Sequence, residues 1–362
     1  MSAERILVIQ LRQLGDTLMS TPVLRELRRL HPHAEIDWLC QGSNACILRH
    51  NPHVSQIETL PRGASVGTFV GLAARLRRRR YNLVVDIQSL PKTAALTWFS
   101  GARERISFRR RWRHALYTKP YVPSPGFEYS AVARLRLLQD PRVSLDDVSL
   151  EFYVGEHDRQ QAQDFCRRWF RPPVAAIYGG RADHTRRWPS ENFAAIADRL
   201  ADRGFQPYLV FGPGEQQAAR EIAARMRSAA LVDYELLPLP VLKETLAACS
   251  LMVTCDGGPK HVATSAGLPT VTLYHGDLAI TWNPPNCPRH RVVTTQLDVP
   301  DPPVIGTITQ ATSTDEIPVE SVWAEVEQLL QGDLTRPSPT PVPSIPCSQE
   351  TLAWPRRSRL AS

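Results

Sequence analysis

Leu251-Met-Val-Thr-Cys-Asp256-Gly-Gly-Pro-Lys-His261-Val-Ala-Thr-Ser-Ala-Gly267-Leu-Pro-Thr-Val-Thr-Leu-Tyr-His-Gly276 reads as an apolar run, a tight Asp-Gly-Gly-Pro turn, a short helix closed by a glycine, and a second apolar run after Pro269. That succession is half of a βαβ unit. The unbroken apolar character of residues 251–255 predicts a strand buried on both faces, so Asp256 stands at its carboxyl end, where open α/β sheets hold their ligands. Gly257 and Gly258 let the backbone approach a bound group, and Pro259 fits the first helical turn. The exposed N–H groups there, together with the helix dipole, favour a phosphate. A plainer reading stays open on this stretch alone, in which Asp256 caps the helix and the glycines only make the turn.

The same geometry recurs at the start of the chain. Residues 5–10 (Arg-Ile-Leu-Val-Ile-Gln) predict a strand, Gly15-Asp16 a turn, and residues 17–30 a helix with Leu18, Val23, Leu24, Leu27 and Leu30 on one face. Asp16 then lies at the sheet's carboxyl edge, or caps that helix. Strands are further predicted at 35–40, 56–60, 83–87 and 105–108, alternating with helices at 44–50, 66–80, 93–100 and 129–138. A second series has strands at 174–178, 207–211, 251–255 and 292–295 and helices at 191–200, 215–226, 239–250 and 316–330. Strands alternating with helices at this spacing imply parallel sheets. The expected fold is α/β, with two doubly wound Rossmann-like domains, 1–155 and 156–332, facing a cleft. From 333 to 362 proline alternates with Ser and Thr before an arginine-rich end. This predicts a disordered tail, read as a solvated extension or as a membrane-surface segment through Trp354.

Composition narrows the partners. A chain of 362 residues with 43% hydrophobic and 22% charged residues has material for two globular domains. Seven scattered cysteines without a C-x-x-C pair argue against a disulfide framework or zinc site and for a reducing cytosol. No signal peptide and no membrane-spanning stretch is expected. The net charge of +7 gathers in residues 75–80 and 103–113, which points to an anionic partner.

Three loops would meet at the cleft: Gly15-Asp16, the stretch from Gly179 through Arg186-Arg187-Trp188-Pro189, and Asp256 to His261. One carboxylate facing cationic side chains and backbone amides suits group transfer from a diphosphate. The carboxylate takes a proton from an incoming hydroxyl while arginines and helix-end amides stabilise the departing charge. No Asp-x-Asp, H-E-x-x-H or Cys/His spacing is present, so neutralisation falls to Arg186, Arg187, Lys260 and amides, with no metal or cofactor expected. Glu215, after Phe211-Gly-Pro-Gly214, is read as a ribose contact or as a first-turn helix residue. His261 is read as a cleft or a core histidine. Arg105, Arg109, Arg111 and Arg113 are candidates for an anionic acceptor or for a solvated surface, and Trp112 stacks on a sugar or packs.

Residues 6–22, Arg186-Arg-Trp-Pro189, Asp256-Gly-Gly-Pro-Lys-His261 and Gly267-x-Pro269 together resemble the bacterial lipopolysaccharide heptosyltransferases of glycosyltransferase family 9, in the right order from about residue 5 to 331. The resemblance implies a GT-B architecture. It implies inverting, metal-independent transfer of a heptose from ADP-heptose to the phosphorylated lipopolysaccharide inner core, at the cytoplasmic face of the inner membrane. Asp16 matches the general base, and Arg186 matches a family lysine that contacts the donor's phosphates. Asp256 and His261 match donor-binding residues, with Gly257 and Gly258 at the diphosphate. The chain departs from the pattern at Arg186 for Lys, at Gly257 where Ser or Thr is usual, and at Tyr274-His-Gly-Asp277. Alternatives are another family 9 enzyme with a different nucleotide sugar or acceptor, and a Rossmann-like nucleic-acid-binding protein suggested by the arginine runs. The stacking aromatics that nucleic acid would need are thin, so none is expected as partner. A NAD-dependent oxidoreductase is disfavoured because neither strand–turn carries G-x-G-x-x-G.

Overall fold

The computed structural model describes residues 4–123, 127–180, 187–299 and 302–332, with the Arg111 side chain left aside. The 333–362 tail lies outside the described residues. The first sheet contains β1 (Arg5–Ile9), β2 (Glu35–Cys40), β3 (Gln56–Thr59), β4 (Leu83–Asp86), β5 (Glu104–Phe108) and β6 (Lys119–Tyr121), in the order β3-β2-β1-β4-β5-β6. The second contains β7 (Val174–Tyr178), β8 (Gln206–Leu209), β9 (Leu251–Cys255), β10 (Thr270–Tyr274), β11 (His290–Thr294) and β12 (Gly306–Ile308), in the order β12-β11-β10-β9-β7-β8. Every neighbouring pair is parallel.

Beyond β8, Leu231 makes a lone parallel bridge to Tyr208, with Leu209 N donating to Leu231 O and Leu231 N to Pro207 O, both at 2.9 Å. This is the stub of a further strand. Counting it, the second sheet follows the same doubly wound order as the first, extended by one strand.

The apolar runs explain why the sheets are parallel and central. In β1, Ile6 and Val8 enter a large core that continues through the second half of the chain. Leu7 and Ile9 face the opposite way, onto Leu72 and Leu76 of the helix Val66–Arg79 and Leu96 of the helix Pro91–Phe99. Burial on both faces requires crossover helices on both faces.

Two edge strands, two further helices (Glu156–Trp169 and Leu278–Trp282) and one helix break differ from expectation. β6 (Lys-Pro-Tyr) and β12 (Gly-Thr-Ile) carry no apolar run, and Pro120 is tolerated because β6 is an edge strand. The single helix expected over 17–30 is two, Leu14–Leu18 and Thr21–Leu30. Pro22, in the first turn of the second, has no N–H with which to continue the first. Asp16 consequently sits inside a helix rather than capping one.

Trp188 shows what the Arg-Trp-Pro stretch contributes structurally. It is fully buried, meets Phe193 edge-on at 4.8 Å between centroids, and donates from Nε1 to Ile317 O at 2.8 Å. It thereby ties the start of the helix Ser190–Asp202 to the turn preceding the last helix, Val319–Gln331. Trp188→Ala should lower unfolding free energy by about 3–5 kcal/mol in denaturant titrations, as buried aromatic truncations do; a loss below about 1 kcal/mol would contradict this packing.

Candidate active site

Both sheets reverse their strand order between two central neighbours, β1 and β4 in one and β7 and β9 in the other. Loops leaving the carboxyl ends of these strands line the crevice where doubly wound sheets bind ligands. Helix Leu14–Leu18 follows β1 and helix Gly258–Ser265 follows β9, and the two pack on each other. A Cβ on Gly15 would stand 2.6 Å from His261 Cδ2, and one on Gly258 would meet Leu14 Cδ2 at 3.4 Å. The switch points of the two halves therefore touch, which brings Asp16 and the segment 256–261 to one place.

Asp16 is largely buried and accepts at Oδ1 from Arg134 Nη2 at 2.8 Å. Arg134 comes from the helix Ser130–Arg136, and its Nη1 has no hydrogen-bond partner among the described residues. Burial pulls this guanidinium down to about 10, against the opposing pull of Asp16, which still leaves it charged at neutral pH. Sequence reasoning missed Arg134. Its signal was an arginine among Ala131, Leu135 and Leu138, on the apolar side of an otherwise amphipathic helix.

On the facing side, Asp256 is exposed and precedes Gly257, the N-cap of the helix, so Asp256 is not the cap itself. Gly257 has an extended φ of 167° that any residue adopts. A side chain there would press on Tyr178, whose Cε1 would be 3.0 Å from a Cβ. Tyr178 Oη in turn donates to Glu215 Oε1 at 3.3 Å, while Gly212 N donates to Oε2 at 2.8 Å. Glu215 is thus fixed across the Gly212-Pro213-Gly214 turn.

His261 is buried, edge-on to Trp282 at 5.8 Å, with Nδ1 unpartnered among the described residues. Burial, then the charges of Lys260 and Arg134, hold its pKa well below the usual imidazole value, so the ring is neutral. Lys260 does not point into open cleft. It is fully buried, donates from Nζ to Trp282 O at 2.6 Å, and lies 5.9 Å from the Tyr274 ring centroid. Burial lowers its pKa to about 7, with Asp256 opposing the shift. Tyr129 from the first half and Tyr274 from the second are electrostatic neighbours, both buried, and neither hydroxyl has a hydrogen-bond partner among the described residues.

The remaining predicted residues are dispersed. Arg186 lies outside the described residues. Arg187 donates to Ser190 Oγ at 3.0 Å and lies 3.7 Å from Glu221, so it braces the helices around β7. Arg105 is engaged with the carbonyls of Leu116 and Ala102 at 2.9 and 2.6 Å, a clamp within its own segment. Arg109 is exposed, and Arg113 donates to Ser89 O at 3.1 Å. Ser89 belongs to the loop after β4, where buried Asp86 accepts from the amides of Gln88 and Ser89 and from Tyr117 Oη. Arg113 is therefore tied to the loop that leaves the carboxyl end of β4. Among the described residues no group of three or more His, Cys, Asp or Glu side chains could hold a metal ion.

Two facing Rossmann-like sheets whose switch points meet across a crevice define a GT-B architecture, and the comparisons agree. A glycosyltransferase family 9 structure from Veillonella parvula superimposes with a TM-score of 0.76 at 21% identity, covering 91% of this chain and 98% of that one. The Escherichia coli ADP-heptose lps heptosyltransferase II superimposes with a TM-score of 0.68 at 22% identity, covering 90% and 99%. In sequence, the chain is 28% identical to lipopolysaccharide heptosyltransferase 2 of Escherichia coli K12 over 80% of this chain and 87% of that one. It is 27% identical to lipopolysaccharide heptosyltransferase 1 of Pseudomonas aeruginosa over 75% and 78%. Residues 70–298 match glycosyltransferase family 9 (heptosyltransferase). The chain belongs to that family and is a glycosyltransferase.

Two measurements test the geometry. Alanine normally stabilises a helix over glycine by about 0.5–1 kcal/mol, yet Gly15→Ala should lower the melting temperature, because the new methyl meets His261; a rise would show that the helices are not pressed together. Unfolded lysine titrates near 10.5 and folded Lys260 near 7, so between those values unfolding takes up a proton and stability rises with pH. Lys260→Met should lack that rise in thermal denaturation followed from pH 7 to 10, and parallel pH profiles would refute it.

Proposed function

We propose that the chain transfers a heptose from ADP-heptose to the phosphorylated inner core of lipopolysaccharide, with inversion, without a metal, and with Asp16 as general base. The observation that carries this reading is the approach of Asp16 and Arg134 to the Asp256–His261 segment across the Gly15–His261 contact. The halves 1–155 and 156–332 would take the acceptor and the donor respectively.

In this mechanism the acceptor hydroxyl attacks the anomeric carbon, its proton passes to Asp16, and the bond to the diphosphate breaks. Arg134 holds one carboxylate oxygen and orients the group; the other oxygen receives the proton. The leaving ADP carries its charge to the amides at the start of the helix Gly258–Ser265, reached over Gly257 and Gly258, with Arg186 as a phosphate contact. Glu215, already fixed by Tyr178 and Gly212, meets the ribose. Asp256 orients the donor, and Lys260 acts from beneath, through the Trp282 carbonyl and the field it adds to the site. Neutral His261 offers Nδ1 for a hydrogen bond rather than a charge. The partnerless Arg134 Nη1, His261 Nδ1 and hydroxyls of Tyr129 and Tyr274 suit a polyhydroxylated, phosphorylated ligand, because buried polar atoms left alone cost about 1–3 kcal/mol each.

Arg113, with Arg109 and Arg111, would meet the acceptor's phosphates. The names of the relatives support the donor and acceptor classes. No helix among the described residues is long and apolar enough to cross a membrane, and we place the enzyme at the cytoplasmic face of the inner membrane as a peripheral protein.

Single-turnover transfer from ADP-heptose to truncated, phosphorylated inner-core acceptors should fall on the order of a hundredfold or more in Asp16→Asn, with donor binding retained. Equal transfer by wild type and variant would remove Asp16 as the base. Wild-type inactivity with ADP-heptose, alongside binding of another nucleotide sugar, would replace the donor.

A further inference from the structure

The helices Val66–Arg79 and Pro91–Phe99 lie side by side over one face of the first sheet, with Leu72, Leu76 and Leu96 turned into the same apolar cluster. Their outer surface is not the polar coat such a layer usually carries. Val66 is 81% exposed, Val70 58%, Trp98 51% and Phe99 48%. Val66 and Val70 are one turn apart on one side of their helix. Trp98 and Phe99 meet edge-on at 5.0 Å in the open.

The charge carried by this stretch is almost wholly positive. Residues 59–103 hold eight Lys or Arg and one acid, Asp86, which is fully buried beneath the helices. Arg75 is paired with Glu58, and Arg79 is turned to Asp37 at 2.7 Å. Arg77, Arg78 and Arg80 remain exposed at the end of the helix, and Arg77 packs over Gly101, next to the aromatic pair. The segment therefore combines protruding valines, an exposed Trp–Phe pair and arginines with long apolar stems.

We infer that this two-helix face is a docking surface for an anionic lipid bilayer. Trp and Phe are at home at the headgroup boundary, valines enter the acyl edge, and arginines reach back to anionic headgroups. Charge complementarity favours this occupant over a second copy of the chain, whose identical face would bring arginines against arginines. It also favours a lipid over nucleic acid, for which valines at 81% and 58% exposure have no use. The inference specifies which surface serves the proposed peripheral location and rests on that reading. Helix Pro91–Phe99 begins at the carboxyl end of β4, on the crevice side, and carries Trp98 and Phe99 at its other end, so the docked face runs away from the edge that would receive a membrane-held acceptor.

The binding measurement uses the full chain and vesicles without substrate, so it does not depend on the transferase reading. Wild type should co-sediment with phosphatidylglycerol/phosphatidylcholine vesicles, more weakly at high salt, and poorly with phosphatidylcholine alone. Val70→Ser/Trp98→Ser should lower the partition coefficient about tenfold or more, and Arg78→Glu about fivefold or more. Circular dichroism should match wild type, and transfer to a soluble, lipid-free acceptor should be kept. Equal binding by wild type and variants, or equal binding to neutral and anionic vesicles, overturns the inference. So does a face that instead mediates self-association or DNA binding, read as sedimentation or gel retardation lost in the same variants.

Discussion

The site depends on one close approach, the helix after β1 against the helix after β9, with Gly15 on one side and His261 on the other. Each sheet alone offers half of a crevice. An open doubly wound sheet can bind a nucleotide at its switch point, and here two such points stand face to face. Because the contact is backbone against imidazole, with no room for a methyl group, the two helix starts come together without a linker of side chains. Asp16, one residue on, is thereby delivered to the region of Asp256.

That closeness has electrostatic consequences. Arg134, Lys260 and His261 lie near one another in a region of little water. Each resolves the burial of charge differently. Arg134 stays ionised because Asp16 is in hydrogen-bond contact, Lys260 is drawn down to about 7, and His261 gives up its charge altogether. Buried charge without a partner is unfavourable by several kcal/mol, which is why each of the three departs from the behaviour it has in water. The unpartnered hydroxyls of Tyr129 and Tyr274 belong to the same region. The arginine-rich exterior is a separate matter, since Arg105 is a clamp and the exposed charges of residues 75–80 sit on the outer face of a helix.

Much of this was legible in the sequence. Strands β2, β7 and β9 fall on the predicted residues because an apolar run bounded by turn formers has little alternative to a buried parallel strand. The turns at Gly15-Asp16 and Asp256-Gly257-Gly258 were visible as carboxyl-end loops for the same reason, and the ordered set of motifs pointed to the family. The short edge strands β6 and β12 were not legible, because Lys-Pro-Tyr and Gly-Thr-Ile acquire their conformation only by pairing with a strand already in place.

What the sequence by itself determined is therefore local and periodic: the two α/β series, their switch-point loops, and the residue types those loops carry. What only the tertiary structure decided is which side chains meet. Arg134 joins Asp16 across 118 positions of chain, Tyr178 rather than backbone strain crowds the Gly257 position, and Lys260 turns to the Trp282 carbonyl. Periodicity reports which face of an element is buried, but not what another element places opposite that face. That pairing is fixed by the packing of two sheets against each other, which no local pattern encodes.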